Sequence, residues 1–125
     1  MNKDDILKLD NQLCFAIYAC AREITKLSHP LLKELGLTYT QYITMLALWE
    51  KDRVTVKELG NRLYLDSGTL TPLLKKLESM ELVTRVRDKS DERNVVIGLT
   101  GKGRAMKEQA AEIPEKLICR ADVTA

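Results

Sequence analysis

Cysteine, histidine and net charge are all scarce in this 125-residue chain, and each scarcity excludes something. There are three cysteines, Cys14, Cys20 and Cys119, and their spacing fits neither a zinc site nor a Cys-x-x-Cys redox pair. The single histidine, His29, adds no ligand cluster and reads as a loop residue. No metal and no cofactor are expected. Twenty basic residues nearly cancel eighteen acidic ones, leaving a net charge of +2. Any polyanionic partner must therefore be met by a local patch, not by the whole surface. No apolar run approaches the roughly 18 residues of a membrane span. Lys3, Asp4, Asp5 and Lys8 interrupt any signal-peptide pattern. No repeat, low-complexity stretch or linker divides the chain. What remains is one domain over residues 1–125, expected in the cytoplasm, where thiols are free by default. Its 45% hydrophobic residues suffice for a modest core.

Helical periodicity is plentiful. Ile6, Leu9, Leu13, Ile17, Ile24 and Leu27 mark a helix over residues 5–27, broken at His29-Pro30. Pro30 then suits the first turn of a short helix that Gly36 ends. Thr38 or Thr40 can cap a further helix through Tyr42, Met45, Leu46 and Trp49. Val54 reads as a lone short strand. Thr55-Val-Lys-Glu58 is a capping box that opens about two turns of helix to Leu63 or Tyr64. Asp66-Ser-Gly-Thr69 forms the next turn and N-cap. The helix it opens carries Leu70, Leu73, Leu74, Leu77 and Met80 on one face. Thr100 caps a last helix, which Pro114 kinks or interrupts. Five or six helices with one ribbon make the fold mainly α with a small β-ribbon.

That ribbon is the most informative segment. Residues 82–100 give apolar teeth at Val83, Val86, Val95, Ile97 and Leu99 around a tip of Asp88, Lys89, Ser90, Asp91 and Glu92. A helix-turn-helix at about 55–80 followed by a wing at about 82–100 is a winged helix-turn-helix, an architecture suited to DNA. Ser67, Thr69, Thr71, Pro72, Lys75 and Lys76 occupy the polar face of the second helix, where small hydroxyls admit it to a major groove. Arg85, Arg87 and Arg93, with Lys89, suit phosphate or minor-groove contact. Asp91, two residues from Arg93, can brace that arginine for a narrow minor groove. The competing reading of both elements is an ordinary solvated polar face and a soluble hairpin tip.

Asp66-Ser-Gly-Thr-Leu-Thr-Pro-Leu-Leu-Lys-Lys-Leu-Glu78, followed by Asp91-Glu-Arg-Asn-Val-Val-Ile-Gly-Leu-Thr100, resembles the MarR family of winged-helix repressors. Asn11-Gln-Leu-Cys-Phe-Ala-Ile-Tyr-Ala19 and Leu37-Thr-Tyr-Thr-Gln-Tyr42 resemble its organic-hydroperoxide-sensing OhrR branch. The resemblance spans residues 8–119. It implies a MarR-like homodimer on an inverted repeat of double-stranded operator DNA, released by an organic hydroperoxide. It implies that Cys14 is the peroxide-reactive cysteine, near the end of the first long helix. Tyr39 matches a tyrosine whose hydroxyl hydrogen-bonds the reactive sulfur, and Tyr18 a further aromatic neighbour. Ser28 stands where the branch carries a second tyrosine. Cys119, in Ile113-Pro-Glu-Lys-Leu-Ile-Cys119, stands where the two-cysteine subclass carries its resolving cysteine.

Without the resemblance, Cys14 is a small hydrophobe on an apolar helix face beside Leu13 and Ile17. A reactive thiol there needs stabilisation of its thiolate, which Tyr18 and Tyr39 hydroxyls can supply. Cys20, six residues on and off that face, reads as structural. Three functions compete. One is a redox-switched repressor. The second is a repressor released by a small ligand in an apolar dimer cleft, with Cys14 only packing. The third is a thiol peroxidase, and it lacks an arginine, threonine or second cysteine at peroxidase-like spacing near Cys14.

Overall fold

A long helix, a helix-turn-helix and a small sheet share one leucine-rich core in the computed structural model, which describes residues 2–120. The chain opens with α1 (Lys3–Ile6), a single 3₁₀ turn at Leu9–Asn11, and then α2 (Leu13–Lys33). The periodicity places one helix from residue 5, but side chains intervene. The Asn11 amide donates to the Asp5 carbonyl, and the Gln12 amide to the Ile6 and Lys8 carbonyls, at 2.7–2.9 Å. Such side-chain bonds compete with a continuous helix.

α2 also does not stop at His29-Pro30. It runs through both residues to Lys33, so His29 is helical and not a loop residue. An internal proline costs roughly 3 kcal/mol. Burial of Leu31 and Leu32 just beyond it contributes on the order of 3–6 kcal/mol and offsets it. Gly36, at φ +73°, turns the chain away from the helix end, as its sequence position predicts.

α3 (Tyr39–Glu50) starts from a capping box between Thr38 and Gln41. β1 (Val54–Thr55) is not a lone strand: it pairs antiparallel with β3, Val54 opposite Ile97. α4 (Val56–Leu63) opens on the Thr55–Glu58 capping box, and Tyr64 closes it in the left-handed region. α5 (Ser67–Ser79) is capped by Asp66, which accepts from the Thr69 amide at 2.7 Å. β2 (Val83–Arg87) and β3 (Val95–Leu99) form the ribbon, with Val83 opposite Leu99 and Arg85 opposite Ile97. The ribbon is thereby widened to a three-stranded antiparallel sheet in the order β1-β3-β2.

Thr100 caps α6 (Gly101–Ala110), and α7 (Ile113–Arg120) follows. Pro114 lies in the first turn of α7, so the last helical segment is interrupted, not kinked. That raises the count to seven α-helices among the described residues.

Met45, Leu48, Leu59, Leu70, Leu74, Leu77, Leu82, Val83 and Ile97 are buried together, drawing α3, α4, α5 and the sheet onto one core. Leu73 and Met80 are only partly buried. α6 is held close by Gly103, where any side chain would collide with the Leu82 carbonyl. The Trp49 indole donates to the Gly103 carbonyl at 2.9 Å. In contrast, Ile6, Leu7, Leu9, Leu13, Ile17 and Ile24 remain exposed on α1, the 3₁₀ turn and α2. Among the described residues no helix is long and apolar enough to cross a membrane.

Candidate functional site

α4, α5 and the wing enclose a concave surface of about 420 Å³. Ser67 and Thr71, one turn apart on α5, form one wall. Arg85, Arg93, Asn94 and Val95 of the wing form the other, and Lys57 and Asn61 of α4 close the end. Thr69, in the first turn of α5, and Pro72, Lys75 and Lys76 beyond it are outside this concavity, on the exposed side of the helix. The buried leucines fix the orientation of α5, since Leu70, Leu74 and Leu77 are fully enclosed and force the polar residues outward.

The wing arginines are not equivalent. Arg93 reaches furthest into solvent, its side chain 90% exposed, and Arg87 is exposed as well. Its guanidinium donates to both Asp91 carboxylate oxygens, at 3.1 and 3.3 Å. Those bonds, with one from the Arg93 amide, hold the Asp91 carboxyl below the usual aspartate range. Arg87 donates to the Glu92 carbonyl at 2.9 Å and ties the tip to its own strand. Arg85 is mostly covered, 3.8 Å from Glu78, and its Nε is buried without a hydrogen-bond partner. Lys89 is exposed at the tip, beside an Asp88 carboxylate that accepts from Ser90.

Asp52 supports the wing from below. One carboxylate oxygen accepts from the Leu99 amide at 2.8 Å and from the Arg53 amide at 2.8 Å. The other accepts from Arg104 at 3.3 Å. Sequence reading passed over Asp52, Lys57, Asn61 and Glu78. The capping box at Thr55 places Lys57 at a helix N-terminus and is a usable signal for it. Asp52 acts across 47 residues of sequence, which no local pattern encodes.

The thiols are arranged differently from the groove. Cys14, Cys20 and Cys119 are all free and exposed. Cys14 lies in the first turn of α2, at its beginning and not near its end. Cys20 is exposed too, which removes the packing role expected of it within one chain. Tyr18 accepts a hydrogen bond from Arg22 at 3.1 Å, with the Arg22 guanidinium 5.8 Å above its ring. This leaves the phenol O–H free to donate elsewhere. Tyr39 is 45% exposed at the start of α3, against Tyr42. Neither hydroxyl bonds Cys14 within the chain. Ser28 is buried and donates to the Thr25 carbonyl at 2.9 Å, so its hydroxyl is committed to its own helix.

Cys119 of α7 shares a shallow surface with Leu31, Glu34, Glu112 and Glu115. Leu31 is seventeen residues along α2 from Cys14, or about 25 Å at the rise of an α-helix. A disulfide needs Cα atoms within roughly 7 Å. The two thiols of one chain are therefore kept at opposite ends of α2.

The family model of the SarA/Rot transcriptional regulators matches residues 26–110. The organic hydroperoxide resistance transcriptional regulator of Bacillus subtilis is 53% identical over 117 residues, covering 94% of this chain and 80% of that protein. AbfR of Staphylococcus epidermidis, reduced and bound to DNA, superposes with a TM-score of 0.83 at 40% identity, covering 90% of this chain and 82% of that one. The same regulator in its disulfide form gives 0.74 at 39% identity, with coverage of 90% and 84%. A cysteine-to-serine mutant of E. coli MarR complexed with operator DNA gives 0.80 at 27% identity, with 90% and 83% covered. A winged helix with this likeness over nearly its whole length has one family assignment: the chain belongs to the SarA/Rot-type transcriptional regulators of the MarR family.

Proposed function

We propose that this regulator is a redox-sensing repressor that binds an inverted-repeat operator as a homodimer and leaves it when an organic hydroperoxide oxidises Cys14. The observation that carries the DNA half is the single concavity shared by the α5 N-terminus and the braced, outward-facing Arg93. α5 enters the major groove with Ser67, Thr69, Thr71 and Pro72 toward the bases, and Lys75 and Lys76 toward phosphate. Arg93 enters the adjacent minor groove. Arg87 and Lys89 add phosphate contacts at the tip, and Arg85 supports the wing against α5.

The exposed apolar strip of Leu13, Ile17 and Ile24 beside Cys14 supports a second copy as its cover. In that dimer, Tyr18 and Tyr39 supply the hydroxyls that favour the Cys14 thiolate. The thiolate attacks the terminal peroxide oxygen, giving a sulfenic acid and releasing the alcohol. The Cys119 thiolate then attacks the sulfenic sulfur, forming a disulfide and releasing water. The separation of about 25 Å along α2 supports a partner-subunit origin for that Cys119. Operator binding by wild type and Cys14→Ser, with and without an organic hydroperoxide, tests the reading. Wild type is expected to be released and Cys14→Ser to stay bound.

An apolar groove of about 300 Å³ between Tyr42, Leu46, Trp49 and Pro114 favours a second reading, release by a small apolar ligand. Release by phenolic compounds that survives Cys14→Ser distinguishes it.

A further inference from the structure

We infer that Tyr64, in the turn between α4 and α5, is a contact to the sugar-phosphate backbone of bound DNA. Tyr64 closes α4 at φ +59°, ψ +37°. Glycine or asparagine is the residue suited to that conformation, and an aromatic side chain is strained there. The turn needs the conformation. The Leu65 amide must return to the Gly60 carbonyl at 3.0 Å, and the Leu65 carbonyl comes within 2.7 Å of where a Gly60 side chain would begin. The chain meets one close approach with glycine at position 60 and yet keeps a tyrosine at the left-handed position.

Nothing among the described residues offsets this. At 95% exposure Tyr64 is the most exposed large apolar or aromatic side chain among the described residues. Its hydroxyl has no hydrogen bond and its ring no aromatic or cationic neighbour there. Strain kept without an internal contact points to an external one. The place specifies which. Leu65, Asp66 and Ser67, the next three residues, line the concavity between α5 and the wing. A phenol at that rim faces the strand flanking the major groove when α5 is inserted. Its O–H donates to a phosphate oxygen and its ring covers the sugar, a contact that positions without reading sequence.

The inference rests on the DNA-binding reading above, and the test separates the two. Affinities of wild type, Tyr64→Phe and Tyr64→Gly are measured by fluorescence anisotropy on the operator and on an unrelated duplex of equal length. Tyr64→Phe should weaken both by a similar factor of about two to ten, the worth of one hydrogen bond. Its salt dependence should match wild type, because no cation is lost. Tyr64→Gly should melt higher, having shed the strain, yet bind at least as weakly as Tyr64→Phe. Wild-type affinity in both variants overturns the Tyr64 contact alone, as does a loss confined to the operator. Wild type binding neither duplex overturns the DNA-binding reading and the contact together.

Discussion

Asp91 grips Arg93 through both carboxylate oxygens, at 3.1 and 3.3 Å, while the arginine side chain stays 90% exposed. An exposed ion pair of this kind adds little to folding stability. Its effect is on the arginine's freedom: a long side chain is held in one direction at the wing tip before any DNA arrives. Pre-ordering of this sort lowers the entropic cost of binding.

Arg93→Ala should therefore weaken operator binding by about 1–3 kcal/mol, with the loss concentrated at the base pairs under the wing. Asp91→Asn should cost less, because it loosens the arginine without removing it. Lys75→Ala and Lys76→Ala should act differently, lowering the salt slope while weakening all sequences alike. Titrations of each variant at several salt concentrations check this. Unchanged affinity in Arg93→Ala removes the wing from the interface.

The same pair makes a pH prediction. The Asp91 carboxyl is held below its ordinary value by the Arg93 hydrogen bonds. A depressed pKa means that the brace is fully present above the ordinary aspartate value of about 3.9 and is lost as pH falls through the lowered value. Wing geometry should thus be constant across neutral and mildly acidic pH. Carboxyl-carbon NMR should place the Asp91 midpoint below about 3.9 in wild type and return it toward about 3.9 in Arg93→Ala.

Local signals predicted local structure well. The Thr55–Glu58 box, the Asp66 cap and the Thr100 cap each appear where short spacings place them, because a cap involves residues three apart. The wing strands appear where the β-branched runs and the charged tip place them, but burial does not alternate along them. Val86, read as an apolar tooth, is exposed, while Ile97, Gly98 and Leu99 are buried in succession against the core. Features set by distant partners were not legible. The burial of Leu31 and Leu32 carries α2 through Pro30, and pairing with Ile97 turns Val54 into a sheet strand. Likewise the covered position of Arg85 beside Glu78 depends on α5 packing against β2, so three arginines that look alike in sequence have three different surroundings.

Asp52 gives a prediction on wing support. Asp52→Ala leaves the Leu99 amide without its acceptor and Arg104 without its carboxylate. An unsatisfied amide at the sheet base costs about 1–3 kcal/mol. The loss should appear in urea melts followed by Trp49 fluorescence, with Asp52→Asn recovering part of it through the remaining amide oxygen. Wild-type stability in Asp52→Ala would make the strut dispensable.

Gly103→Ala is expected to disturb the α6 junction more sharply. The added methyl collides with the Leu82 carbonyl, which is rigid backbone at the edge of the core. Overpacking of this kind costs about 1–3 kcal/mol and forces α6 outward. Because the Trp49 indole donates to the Gly103 carbonyl, its emission should shift to the red in the native state. An unaltered spectrum and melt would show that the junction yields freely.

The disulfide makes the most direct test of the switch. Cys14 begins α2 and Cys119 packs near its far end, so a bond within one chain requires closing about 25 Å of rigid helix. A bond between chains requires only that α7 of one copy approach the start of α2 in the other. Hydroperoxide-treated wild type should therefore run as a covalent dimer on non-reducing gels, and both Cys14→Ser and Cys119→Ser should run as monomers. A mixture of the two single variants should restore a covalent heterodimer, since each supplies the thiol the other lacks. Because α7 packs on α2, forming the bond should move α7 and, under the proposed switch, shift the paired helix-turn-helix units out of step with the two operator grooves. Affinity should then fall together with dimer crosslinking and return on reduction. Cys119→Ser should still react with a first peroxide at Cys14, and then consume a second and a third as the uncaptured sulfenic acid goes on to sulfinic and sulfonic acid, visible by mass spectrometry. A covalent dimer in Cys119→Ser would transfer the resolving role to the exposed Cys20.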